Sequence, residues 1–350
     1  MVLVLDARGM TRGIAPLILG YQAFDRNVHI AGVILNRLGG SRHEAKLRAV
    51  IDHYTGVPVL GALQNDEQLT IVERHLGLVP SNEAGAARSR VEAIGKIVAA
   101  QVDLERLLAL AREAPALPTA GIPAADHEPA PIGPPARLGI ARDEAFGFYY
   151  PDDLDALRAA GAELVPFDAL RDRCLPEVDG LFIGGGFPET HMEALAANTA
   201  LRGEIRGAID AGMPAYAECG GLMYLARGIE WNGRRAAMVG AIPADVVMHA
   251  RPVGRGYVHL RETGHAPWPQ CGEGGARTIR AHEFHYSSVE NLDPGVEFAY
   301  EVERGHGVDG RHDGIVHRNL LASYAHLRGV EGNPWARRFV DFVRRCKHAA

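Results

Sequence analysis

Residues 215–225, Ala-Tyr-Ala-Glu-Cys-Gly-Gly-Leu-Met-Tyr-Leu, carry the strongest chemical signal in the chain. The apolar approach from Met213 to Ala217 reads as a strand, and Leu222, Met223, Leu225 and Ala226 follow with helical spacing. Cys219 therefore stands at a strand-to-helix turn flanked by glycines, the layout of a nucleophile elbow. The glycines admit a strained turn, and the backbone N–H of Gly220 points where an oxyanion would form. A helix N-terminus behind the thiol favours its thiolate form. Taken alone, the pattern also fits a buried structural cysteine.

Two other stretches strengthen the chemical reading. Asp179 to Ile183 runs as an apolar strand into Gly184-Gly185-Gly186-Phe187-Pro188-Glu189. Glycines after a strand leave backbone N–H groups unobstructed, so Gly185 or Gly186 can supply a second oxyanion donor, although an ordinary tight turn has the same composition. Far downstream, Asn319 to Leu327 reads as a strand that carries His326 at its end. A thiol nucleophile needs a base that is close in space rather than in sequence. His285 is the rival base. It lies in His282–Ser287 (HEFHYS), where the aromatic residues suggest a strand, with His282 and His285 on opposite faces. No further ligand set accompanies them, so no metal site is expected.

These residues need a sheet to position them. The 350 residues suggest two domains, since single cores stop growing at about 250–300 residues. Val2–Leu5, Val28–Leu35 and Pro58–Leu63 read as strands, with helices at Ile14–Tyr21 and His43–Tyr54 between them. This alternation predicts a parallel, doubly wound α/β sheet. Helical stretches follow at Arg88–Gln101 and Leu104–Glu113. Residues 114–136 are dense in Pro and Ala and read as a linker. A second α/β domain then opens at Arg137, with Asp143–Tyr150 at the carboxyl end of its first strand, where such sheets place their sites. Residues 232–300 alternate in a way that predicts an antiparallel extension. In the first domain, Asn36 follows a strand and its amide suits the edge of a base, or else caps a turn. Asp6 is placed either as a magnesium-associated carboxylate or as a plain helix cap.

Composition excludes several classes. Net charge −6 gives no footprint for nucleic acid or an anionic membrane. The four cysteines are scattered, which suits a reducing cytoplasm and neither a zinc site nor a disulfide framework. No apolar run approaches about eighteen residues, so no transmembrane helix is expected.

Residues 136–347 resemble a class I glutamine amidotransferase domain of the cobyrinate a,c-diamide synthase family. The likeness rests on Ile183–Glu189 (IGGGFPE), Tyr216–Leu222 (YAECGGL), His282–Ser287 and Ala322–Leu327 (ASYAHL), in that order. Residues 1–113 resemble the later part of that family's ATPase domain, through Val33–Arg37, Val59–Leu63 and Glu73–Pro80. The resemblance implies that Cys219 attacks the amide of glutamine, that His326 is its base, and that Gly185, Gly186 and Gly220 line the oxyanion site. It sets His285 and Tyr286 beside the acceptor or the ammonia path, and Asn36 and Asp6 beside ATP and Mg²⁺. The implied acceptor is a corrinoid precursor, cobyrinate or hydrogenobyrinate, amidated at its a and c acetate groups by a cytoplasmic enzyme. A homodimer is left open. Alternatives are an amidotransferase of the cobyric acid or nickel sirohydrochlorin type, or a glutaminase-only or silent binding subunit.

Three departures stand out. Ala217 occupies the position of an elbow glycine in many glutaminases, and Arg328 occupies the position of a triad glutamate, two residues after the histidine. A Cys-His dyad is therefore expected, with the group that orients His326 unidentified. The sequence also contains no G-x-x-x-x-G-K-[ST], and Gly95-Lys96 falls in a helical stretch. The expectation is a chain whose start at Met1 falls after the family's phosphate loop.

Overall fold

Alternating apolar strands and amphipathic helices build two units, Met1–Ala125 and Asp126–Ala350, in this computed structural model. It describes residues 1–71, 84–116, 135–268, 278–329 and 333–349. Most of the proline-rich stretch, Glu73–Pro80 and Cys271 lie outside the described residues.

The first unit runs β1 (Val2–Asp6), α1 (Ile14–Phe24), β2 (Gly32–Leu38), α2 (Ser41–Thr55), β3 (Val59–Gln64), α3 (Ala84–Gln101) and α4 (Leu104–Arg112). Its strands form one parallel sheet in the order β1-β2-β3. Val33 and Leu35 of β2 pack with Ile14 and Ile18 of α1 and Leu47 and Ile51 of α2 in one buried cluster. Burying each such side chain stabilises the fold by about 1.5–3 kcal/mol. The strand expected from Val28 begins instead at Gly32, which pairs with Val2. Residues 28–31 have no opposite strand in this ladder, and the N–H of Ala31 bonds to the carbonyl of Met1. Gly95-Lys96 lies inside α3, not at a strand-to-helix turn.

The second unit begins with β4 (Ala136–Ala141), so the expected linker ends one residue into a strand. It continues through β5 (Phe146–Phe148), α5 (Pro151–Ala159), β6 (Ala162–Phe167), β7 (Gly180–Ile183), β8 (Gly185–Gly186), α6 (Met192–Ala197), α7 (Thr199–Asp210), β9 (Ala215–Glu218) and α8 (Gly220–Leu225). Then come β10 (Gly228–Trp231), β11 (Arg234–Ala237), β12 (Asp245–Met248), β13 (Gly254–Glu262), β14 (Thr278–His285), β15 (Ser287–Glu290), β16 (Glu297–Arg304), β17 (His312–His317), β18 (Leu320–Ser323) and α9 (Trp335–Ala349).

Nine strands share one sheet in the order β14-β13-β16-β17-β18-β9-β7-β4-β6. The last five are parallel, and the first five form the antiparallel extension. Side chains alternate across it. Ala215 and Ala217 join Leu201, Ile205 and Ile209, an i, i+4, i+8 stripe of α7. Phe182 and Tyr216 join Leu157 of α5 and Trp335 and Phe339 of α9 on the other face. The centre of the sheet is thus covered on both sides, which holds the carboxyl ends of β7, β9 and β18 rigidly side by side. Among the described residues, no helix is long and apolar enough to cross a membrane.

Candidate active site

The turn between β9 and α8 concentrates its strain on the cysteine. Cys219 has φ 49° and ψ −104°, a conformation that non-glycine residues rarely adopt. Its N–H is held by the carbonyl of Ser323 at 2.8 Å. The flanking glycines serve a different purpose from the one expected of them. A Cβ on Gly221 would stand 2.1 Å from the carbonyl oxygen of Ile183, and one on Gly220 would stand 2.8 Å from the nitrogen of Gly186. Both are needed so that α8 can press against the loop after β7. Ala217 is accommodated two residues earlier on β9, fully buried between Ile183 and Ala322.

The same contacts bring the sequence-predicted donors together. Gly220 is the first residue of α8, and its N–H has no partner within the helix. It packs directly on Gly186, and a Cβ on neighbouring Gly185 would meet the His326 ring at 2.8 Å. Backbone from both loops therefore borders the space between the thiol and the imidazole.

The Cys219 thiol lies close enough to His326 to help raise the pKa of its imidazole. Its Nδ1 lies 3.2 Å from Oε2 of Glu218, the residue immediately before the cysteine. Oε1 of Glu218 accepts from the Tyr216 hydroxyl at 2.6 Å and from the N–H of Leu327 at 2.9 Å. Both members are buried, Glu218 to 3% exposure and His326 to 8%. Burial disfavours the charged imidazolium. The interactions with Cys219 and Glu218, and their charges, outweigh it and hold His326 well above its usual value. Sequence reasoning missed Glu218. The available signal was the period of two along β9, which puts Glu218 on the face of Tyr216 and opposite Ala217.

The strand expected to end in His326 stops at Ser323. The N–H groups of Tyr324 and Ala325 turn to the buried carboxylate of Asp313, at 3.0 and 2.9 Å, instead of to a neighbouring strand. His326 then pairs with His282 through the backbone in an isolated antiparallel bridge. The two imidazoles stand 5.6 Å apart, and burial, followed by the His326 charge, lowers the pKa of His282.

His282 and His285 lie on opposite faces of β14, as the sequence suggests, and His282 is the one beside His326. His285 is 2% exposed and stacks on Tyr324 with ring centres 3.8 Å apart. Its Nδ1 donates to the carbonyl of Ser287, and its Nε2 lies 3.7 Å from Glu283 without a hydrogen bond. It makes no hydrogen bond to Cys219. Tyr286 is half-buried against Phe284, whose carbonyl lies 3.8 Å from the Cys219 sulfur. The Asp143–Tyr150 stretch also reaches the site: the Tyr149 hydroxyl accepts from the N–H of Gly184, and the Tyr150 ring stands edge-on to His326. Arg328 points away, stacked over Tyr150 and paired with Asp152 and Asp153.

In the first unit, Asn36 and Arg37 line a cavity of about 350 Å³ with Gln64, Asn65 and Asp66, at the carboxyl ends of β2 and β3. Its room and amide groups fit a planar base. Asp6 caps no helix; the residue before α1 is Gly13. Its carboxylate is instead engaged by Arg8 at 2.7 Å and Arg37 at 3.3 Å, and the Arg8 hydrogen bonds lower its pKa to about 2. Among the described residues no group of three potential metal ligands occurs.

Residues 137–333 match the CobB/CobQ-like glutamine amidotransferase domain. The chain is 47% identical over 98% of its length to the cobyrinate a,c-diamide synthase of Magnetococcus marinus, of which it covers 73%. It is 39% identical to that of Methanosarcina barkeri and 40% identical to that of Archaeoglobus fulgidus, covering 72% and 74% of them. Likeness at this level runs through both units. The chain accordingly belongs to the cobyrinate a,c-diamide synthase family and is a glutamine-dependent, amide-forming ligase.

Proposed function

We propose that the chain releases ammonia from glutamine at Cys219 for the ATP-dependent amidation of the a and c acetate carboxylates of a corrinoid, cobyrinate or hydrogenobyrinate. The observation that carries the glutaminase half is a strained elbow cysteine whose glycine neighbour packs on Gly186, while adjoining Gly185 lies against the buried ring of His326. The acceptor is taken from relatives named cobyrinate a,c-diamide synthase.

His326 takes the thiol proton, and Cys219 attacks the side-chain amide carbon of glutamine as the thiolate. The tetrahedral oxyanion is received by the N–H of Gly220 and that of Gly185 or Gly186. As the C–N bond breaks, His326 returns the proton to the leaving nitrogen, and ammonia departs from a glutamyl thioester. Water, deprotonated by His326, then releases glutamate and restores the thiol. ATP with Mg²⁺ supplies the activation that lets a carboxylate accept an amine. Asn36 is assigned to the base of ATP in its cavity, and Asp6 to the edge of that site. Tyr286, at the bend between β14 and β15, is assigned to the acceptor side, and His285 braces the end of β14 just before it.

Glutamate release by the purified chain tests this reading. Cys219→Ser is expected to abolish it and His326→Ala to lower it by about 10²–10⁴-fold. His285→Ala is expected to reduce stability while leaving kcat within about tenfold. A mild His326→Ala beside a severe His285→Ala would reverse the assignment of the base. Mass spectrometry of cobyrinate incubated with glutamine and ATP checks the acceptor, through successive carboxylate-to-amide replacements.

A further inference from the structure

We infer that Glu218 is the third member of the glutaminase site, a positioning residue that fixes the tautomer of His326 from the elbow itself. The inference deepens the glutaminase reading and rests on it. In a cysteine–histidine pair the ring must present a bare nitrogen to the thiol, so its other nitrogen must carry the proton. Nδ1 faces Oε2 of Glu218 at 3.2 Å, and a carboxylate can only accept there. The proton therefore resides on Nδ1, and Nε2 is left for the sulfur.

The carboxylate is itself fixed. Tyr216 and the Leu327 N–H hold its other oxygen at 2.6 and 2.9 Å. Glu218 thus grips both the ring of His326 and the backbone just after it. Because Glu218 and Cys219 are adjacent in the chain, one strand end positions nucleophile and base together. This also accounts for Arg328. With the orienting carboxylate supplied by β9, the position two residues after the histidine is released from the site and pairs with exposed Asp152 and buried Asp153.

Glu218→Gln separates this role from packing. The amide oxygen keeps the bonds from Tyr216 and Leu327, which turns the NH₂ group toward Nδ1. The ring must then accept there and carry its proton on Nε2, where the thiol needs an acceptor. The expected result is a fall in kcat of about 10²–10⁴-fold with KM for glutamine changed less than about threefold. The pH midpoint for alkylation of Cys219 by iodoacetamide is expected to rise by roughly one unit or more, since the imidazolium partner is lost. In a His326→Ala background, adding Glu218→Gln is expected to change the residual rate less than about threefold, because Glu218 acts through the histidine. Tyr216→Phe, which leaves the Glu218–His326 bond in place, is expected to cost less than about tenfold.

An active parent with Glu218→Gln near parental kcat and an unmoved alkylation midpoint would overturn the inference and leave the glutaminase reading intact. So would a full second loss in the His326→Ala background. A parent chain with no Cys219-dependent glutamate release would overturn the glutaminase reading, and the alkylation midpoints still decide the link between Glu218 and His326. Should Glu218→Gln not fold, Glu218→Asp decides: it keeps the charge but falls one methylene short of Nδ1, so a raised midpoint supports the inference and an unchanged one overturns it.

Discussion

At the scale of single residues, Cys219 was legible because a strand, two glycines and a helix surround it in sequence. Glu218 was not, although it lies next to it. Nothing in the order of residues says that β9 and β18 run side by side, with Ser323 opposite Glu218 and the histidine just beyond. Another buried acid has a measurable consequence. Glu189, in the loop that borders the site, is 3% exposed, and burial raises its pKa from 4.5 to about 7. Between those values the unfolded chain has lost the proton that the folded chain retains. Stability from this group is therefore full below pH 4.5, falls as pH rises toward 7, and is flat above it. The whole effect is on the order of 3 kcal/mol. Glu189→Gln is expected to flatten this part of the pH dependence in urea unfolding series; an unchanged slope would mean that Glu189 titrates normally.

At the scale of elements, the periodicities located most strands and helices of both units, and the departures have local causes. β2 starts late because its partner begins at Val2. β18 ends early because Asp313 draws two N–H groups out of the ladder. That diversion carries the base: without it, the chain would continue along the strand and His326 would not meet Glu218. Asp313 accepts from Gly314, Ser323, Tyr324 and Ala325, and is fully buried. Asp313→Asn preserves the shape but replaces one acceptor by a donor, leaving at least one buried N–H unmatched. The expected cost is about 1–3 kcal/mol in unfolding free energy, with a loss of glutaminase activity larger than that cost alone would give. Full stability with full activity would show that the turn is fixed by other contacts. The glycines of α8 belong to this scale too: their type was legible, but their steric purpose needed the position of Ile183 and Gly186.

At the scale of the molecule, two α/β units and their order were visible in the sequence, and the family likeness spans both. The second unit assembles its site from β7, β9, β14 and β18, elements drawn from across its length, and only the fold brings them to one sheet end. The glutaminase reaction passes through one covalent species, a glutamyl thioester on Cys219, and trapping that species tests the proposed function most directly. The chain is mixed with isotopically labelled glutamine, quenched in acid during turnover, and digested for mass spectrometry. The expected result is the glutamyl adduct on the peptide that contains Cys219, absent from Cys219→Ser and accumulating more slowly in His326→Ala. Glutamate release that persists in Cys219→Ser, or an adduct on a different residue, would contradict it.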